Sequence, residues 1–327
     1  MRRREFIGLV GGAAAAWPLS VRAQQPATPV IGFLSTSLPT EFVRYLAAFR
    51  QGLKETGFIE AQNVAIEFRW AEGRYDRLPD LAADLVKRGI AVLVATGGAA
   101  AALAAKAATT TIPIVFSVGA DPVEIGLIAG LSRPGSNLTG VSLLTGRLIG
   151  KRLEILREVV PKASAIGVLL NPNLPNTQVQ LDDAQKAGRA IDQQLHILYA
   201  GSERDFEPAF AAAVQARLGA LMVGPDAFFT SRREQIVALS ARDRIPTIYE
   251  WREFAEVGGL MSYGSDRAAG YHQVGVYAGR ILKGSKPADL PVVQATKVEF
   301  VLNLKTAHAL GLTIPLPLLA RADEVIE

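Results

Sequence analysis

From residue 29 onward, short apolar runs alternate with longer segments whose apolar positions recur three and four apart. Residues 29–34 (PVIGFL) form an apolar run that ends in a polar loop at 35–39. Over 40–56, Phe42, Tyr45, Leu46, Phe49 and Leu53 keep helical spacing, and Gly57 stops the segment. Residues 64–68 alternate like a strand, and 78–88 read as a helix with Gly89 just past its end. The fully apolar 91–95, the Ala-rich 99–108 and the run 113–116 predict strand, helix, strand. A further strand at 138–142 leads into an amphipathic helix over 148–160. After Pro161 the alternation starts again, with strands expected at 165–170, 195–199, 220–223, 247–249 and 258–262. A helix over 266–282, a Pro-punctuated stretch at 286–291, a strand at 298–302 and a short helix complete the chain. Apolar strands separated by helices predict parallel sheets covered on both faces, an α/β fold.

The restart after Pro161 divides the chain into two α/β halves. We assign 28–142 plus 264–290 to an N-terminal lobe and 143–263 plus 291–327 to a C-terminal lobe. A chain that crosses between two lobes more than once makes a hinge, because the connections must flex together.

Residues 1–27 do not fit this alternation. Arg2, Arg3 and Arg4 head an uncharged stretch over 6–21, followed by Val21-Arg22-Ala23 and then Gln24-Gln25-Pro26. This is the order of an export signal. Arg3-Arg4-Glu5-Phe6-Ile7 also resembles the twin-arginine motif. The stretch is rich in Gly and Ala, seven of its sixteen residues, and falls short of the ~20 strongly apolar residues of a membrane span. No strand precedes Gly11-Gly12, which argues against a phosphate loop. Residues 1–23 are therefore expected to be cleaved on export to the periplasm. They hold four arginines and one glutamate, so they carry +3 of the chain's formal charge of +4. The remaining +1 gives no support to nucleic-acid binding. The chain has no cysteine, which rules out disulfides, thiol catalysis and lipid attachment through a thiol.

In open parallel sheets, ligands sit beyond the carboxyl ends of the strands. In the first half those ends present Ser35 and Thr36, then Thr96, Gly97 and Gly98, then Ser117 and Asp121. In the second they present Asn171, then Asp226 and Phe228, then Tyr249 and Glu250. Tyr263 and Asp266 follow the strand before the late helix. The Thr96-Gly97-Gly98 turn enters a helix, whose free N–H groups suit a carboxylate or phosphate. Asp226, Glu250 and Asp266 suit a ligand ammonium, and the aromatic residues suit an apolar or aromatic body. Asp121, Asp226 and Asp266 equally suit helix N-caps. Gly97-Gly98 equally suits a tight turn, and Tyr249 and Trp251 equally suit core positions.

Signals for catalysis are lacking. His196, His272 and His308 have no metal-ligand spacing, and there is no Gly-x-Ser-x-Gly elbow. Glu253 and Glu256 fit a solvated helix face. The expectation is a protein without metal or cofactor that makes no bonds.

Four stretches carry a resemblance that extends over nearly all of the chain after the signal. They are FRQGLKETGF at 49–58, IPIVF at 112–116, DPV at 121–123 and RPGSNLTG at 133–140. In these the chain resembles the periplasmic substrate-binding proteins of ABC importers, in the family related to tryptophan- and other aromatic amino-acid-binding proteins. The resemblance implies a type I periplasmic binding fold, with two Rossmann-like lobes closing on a small ligand. It also implies delivery to an ABC permease in the inner membrane, with no nucleic-acid partner and only peripheral membrane contact. A ligand-sensing receptor and, more remotely, a periplasmic enzyme on the same scaffold are the alternatives.

Overall fold

The computed structural model describes residues 28–327; the expected export signal lies outside them. The first half runs β1 (Val30–Ser35), α1 (Val43–Glu55), β2 (Ala65–Trp70), α2 (Leu78–Lys87), β3 (Val92–Thr96), α3 (Ala99–Ala108), β4 (Ile114–Val118) and β5 (Leu138–Ser142). The second runs α4 (Ile149–Val159), β6 (Ala165–Leu170), α5 (Thr177–Ala190), β7 (Gln194–Tyr199), α6 (Phe206–Gln215) and β8 (Ala220–Val223), then α7 (Ala227–Ser231), α8 (Arg233–Arg242), β9 (Thr247–Tyr249), α9 (Arg252–Glu256) and β10 (Met261–Ser265). The tail adds α10 (Arg267–Leu282), β11 (Val293–Gln294), β12 (Val298–Asn303), α11 (Leu304–Ala309), α12 (Leu316–Leu319) and β13 (Glu324–Ile326).

The strands form two sheets, in the orders β11-β5-β4-β3-β1-β2 and β13-β12-β10-β9-β8-β6-β7. Every pair of strands is parallel except β10 with β12. β3, β4 and β5 are buried at every position, as expected of strands covered on both faces. The edge strand β7 instead alternates exposed and more buried residues over most of its length.

α10 returns from the second sheet to pack along α1 on the first. The two helices approach more closely than side chains allow. A Cβ on Gly52 would stand 2.0 Å from the His272 carbonyl oxygen, and one on Gly275 would stand 2.1 Å from that of Phe49. Around this contact Phe33, Phe42, Phe49 and Tyr271 form an aromatic core, with Phe42 and Tyr271 edge-to-face at 5.1 Å.

The tail departs from the sequence assignment at one point. Residues 291–327 were assigned to the second lobe, yet Val293 and Gln294 pair in parallel with Val141 and Ser142 of the first sheet. Two residues are too few to show periodicity, and Pro287 and Pro291 hide them. The chain thus passes between the sheets three times, after β5, after β10 and after β11.

Candidate functional site

The carboxyl ends of both sheets face a shared cavity of about 610 Å³, counting its mouth. From the first sheet it is lined by Ser37, Gly97, Gly98, Ala99, Ser117, Gly119 and Ala120. Facing these are Leu174, Asn176, Pro225, Asp226, Ala227, Thr230, Glu250 and Trp251. The crossings and α10 contribute Leu143, Thr145, Arg267 and Tyr271. A wider outer chamber of about 1100 Å³ shares Gly119, Ala120 and Asn176 with the inner one.

Of the residues named from sequence, Gly97, Gly98, Ser117, Asp226 and Glu250 meet on the inner wall. Gly97 and Gly98 take φ of 84° and 123°, and no side chain caps α3 behind them. Asp226 divides its two roles between its two oxygens. Oδ1 caps α7 by accepting from the Phe228 amide at 2.6 Å, and Oδ2 is buried without a partner. Glu250 Oε2 and Ser117 Oγ are likewise buried and unpartnered. Burial pushes the Glu250 carboxyl up to about 8, against the attraction of Arg152 and Arg267. Burial also raises Asp226 to about 6, with hydrogen bonds from Tyr75 and the Phe228 amide opposing it.

The other named residues stand behind or beside this wall. Thr36 donates to the Gly97 carbonyl at 2.6 Å, and Ser35 accepts from the Ser37 amide. Thr96 is buried, its hydroxyl 3.5 Å from the Leu34 carbonyl. Asn171 accepts from the Asn173 amide at 2.9 Å and shapes the β6 turn. Asp121 faces the outer chamber, where it pairs with Arg147 at 2.9 Å. Phe228 stacks on Phe206, Tyr249 stacks on Phe254, and Tyr263 packs edge-on to Phe300. Asp266 caps α10 through the Ala269 amide and pairs with Lys297 at 2.9 Å.

Sequence reasoning missed Arg267 and Tyr271. Both follow the Asp266 cap, four apart on one face of α10, so the cap itself was their signal. The Arg267 guanidinium lies 4.2 Å from the Tyr45 ring centre and 4.7 Å from that of Trp251. It also pairs with Glu253 at 3.3 Å. Two tyrosines of the first lobe reach carboxylates of the second: Tyr75 donates to Asp226 and Tyr45 donates to Glu253. These bonds hold the lobes together over the cavity. Among the described residues no cluster of metal-binding side chains occurs, and no helix is long and apolar enough to cross a membrane.

The family described as ABC transporter substrate binding protein matches residues 42–326. The chain belongs to this family. As a substrate-binding protein it is the solute-binding component of an ABC importer. A tyrosine-binding protein of Clostridioides difficile is 26% identical over 266 residues, which is 81% of this chain and 75% of that protein. A conserved domain protein of Vibrio cholerae superposes with a TM-score of 0.85 at 27% identity, over 91% of this chain and 99% of that one. A Streptococcus pneumonia protein in complex with L-Trp gives 0.83 at 25% identity, over 91% of this chain and all of that one. The two sheets of this substrate-binding protein are therefore the two lobes of a periplasmic binding fold; of these relatives, one is named for tyrosine binding and one was solved in complex with L-Trp.

Proposed function

We propose that this exported receptor binds a zwitterionic α-amino acid with an apolar or aromatic side chain and hands it to an ABC permease unchanged. One observation carries the reading. Asp226 Oδ2, Glu250 Oε2 and Ser117 Oγ are buried and unpartnered, and their three side chains line one cavity. A buried polar atom without a partner costs about 1–3 kcal/mol, so a ligand that satisfies all three gains that energy on binding. The carboxylates of the second lobe suit an ammonium. Across the cavity, the uncapped start of α3 and the hydroxyls of Ser37 and Ser117 suit a carboxylate. Leu143, Leu174, Pro225 and Trp251 suit an apolar side chain. A tyrosine-binding relative and a relative solved with L-Trp support an aromatic amino acid.

Such a ligand touches both lobes only when they are closed, so it favours closure by its differential affinity. The test is a thermal-shift screen of residues 24–327 against L-amino acids, their des-amino analogues, aromatic acids, nucleosides and sugars. An L-amino acid should raise the melting temperature while its des-amino analogue does not. Equal shifts from both analogues would remove the ammonium from the reading.

A further inference from the structure

Trp251 and Tyr271 are the aromatic side chains that line the inner cavity. Tyr271 is set into the aromatic core beside Phe42, but Trp251 stands at the N-cap of α9, where the chain has just left β9. One side of its indole lies against β10, where a Cβ on Gly264 would stand 3.2 Å from Trp251 Cε3. What holds it from the other lobe is Arg267.

Four side chains, two from each lobe, form one cluster here. Tyr45 on α1 and Arg267 on α10 belong to the first lobe, and Trp251 and Glu253 to the second. The guanidinium lies over both rings, 4.2 Å from the centre of Tyr45 and 4.7 Å from that of Trp251. Its Nη1 and the Tyr45 hydroxyl both donate to Glu253 Oε1. The Arg267 side chain is only 9% exposed, so water does little to screen these contacts. A planar guanidinium can stack by its face and donate by its edge at once, which a compact ammonium cannot. Glu250, Trp251 and Arg267 also line a second chamber of about 280 Å³, counting its mouth. Indole and guanidinium together part that chamber from the ligand cavity. Without the guanidinium, the indole has room to swing away from the ligand.

We propose that Arg267 is a positioning residue for ligand selection: it clamps the Trp251 indole as a fixed flat wall, and this wall makes the receptor prefer an aromatic side chain to an aliphatic one. A ring stacks well only on a ring held in place. A branched aliphatic chain has no such orientation to satisfy and packs against a mobile indole almost as well. The clamp spans the lobes, so the wall is set only when the cleft is closed.

The proposal rests on the aromatic part of the functional reading, and two pairs of ligands keep the two apart. Calorimetry on residues 24–327 compares L-tyrosine with L-leucine, and the des-amino analogue of each with the other. Arg267→Met should lower L-tyrosine affinity about tenfold or more and L-leucine affinity at most about twofold, so their ratio falls at least about fivefold. Arg267→Lys keeps the charge without the plane and should lower the ratio about twofold to threefold. A general loosening of the fold lowers both affinities alike and leaves the ratio where it was. Residues 24–327 contain Trp70 and Trp251 and no other tryptophan, so Trp70→Phe leaves Trp251 as the sole reporter. With ligand bound, its fluorescence anisotropy should show a fast component in Arg267→Met that is absent in the Trp70→Phe parent. An unchanged ratio, or an indole no more mobile than in the parent, overturns the proposal. If Arg267→Met does not fold, Arg267→Lys carries both measurements on the same terms. Binding of the des-amino pair but not of the amino acids sinks the ammonium reading alone, and the ratio within that pair then decides the clamp. A parent that binds neither pair, or binds without preferring the ring, overturns the clamp.

Discussion

Replacing Gly52 by Ala separates two opposing effects of a single methyl group. In a helix interior Ala is favoured over Gly by about 0.5–1 kcal/mol, so an isolated α1 would gain. In the protein the new Cβ would stand 2.0 Å from the His272 carbonyl oxygen and 2.9 Å from its carbon. Both atoms are backbone, so no side-chain rotation relieves the contact. Restoring an ordinary separation requires α1 and α10 to part by about 1 Å, an overpacking that costs about 1–3 kcal/mol. The net loss should be about 1–2 kcal/mol and lower Tm by a few degrees. Gly150→Ala on α4 makes the same chemical change where the new Cβ meets only the Ala187 Cβ at 3.6 Å. It should be neutral or stabilising. Because α10 also carries Arg267 and Tyr271 into the cavity wall, Gly52→Ala should weaken ligand binding, whereas Gly150→Ala should not. Thermal unfolding followed by circular dichroism, with ligand titration of the same samples, measures both. A Gly52→Ala protein that melts at or above the parent would refute the close backbone contact and the account of how α10 is placed.

Other consequences concern the cavity charges. Glu250 has a folded pKa near 8, above the ordinary value near 4.3. Its neutral form therefore supports the ligand-free fold, and that support is fully present below about pH 4 and lost as pH rises through about 8. Ligand-free Tm should fall from pH 6 to about pH 9 in the parent more than in Glu250→Gln, and parallel curves would contradict this. An ammonium ligand that ionises Glu250 displaces a proton, so affinity should rise with pH up to about 8, by at most about tenfold per unit, as calorimetry in two buffers would show. Asp226→Asn should weaken amino-acid binding about tenfold to a hundredfold, and unchanged binding by calorimetry would remove Asp226 from the site. Tyr75→Phe deletes the hydroxyl that reaches Asp226 across the cleft. It should weaken binding about fivefold with little change in ligand-free Tm, and a large fall in Tm would make that bond structural instead.

The alternation of β and α segments was legible because the central strands are continuous apolar runs, edge strands such as β2 and β7 alternate, and each major helix carries a face of buried residues. The strand-end rule led to Gly97, Gly98, Ser117, Asp226 and Glu250 because parallel strands all point their carboxyl ends the same way. It failed for Tyr249 and Phe228, whose rings turn back into the core, since the rule fixes a loop and not a side-chain direction. Asp226 was ambiguous between cap and ligand contact because a carboxylate has two oxygens, and the structure uses one for the cap and leaves the other free. Arg152 gave no signal. A basic residue on an amphipathic helix ordinarily lies on the solvated side, and only the fold brings the Thr145 and Tyr263 carbonyls to it. Tyr75 was missed for a similar reason, because its partner Asp226 is 151 positions away.

The way the chain is shared between the sheets sets an order of events during synthesis. β6 to β10 are contiguous, so five of the seven strands of the second sheet are available once residue 265 has been made. The first lobe at that moment still lacks α10, whose Tyr271 packs against Phe42 and whose Gly275 seats against α1. Domains usually finish in the order in which they leave the ribosome. Here the lobe that begins the chain must wait for α10, made after those five strands of the other lobe, and until then it presents an uncovered aromatic face.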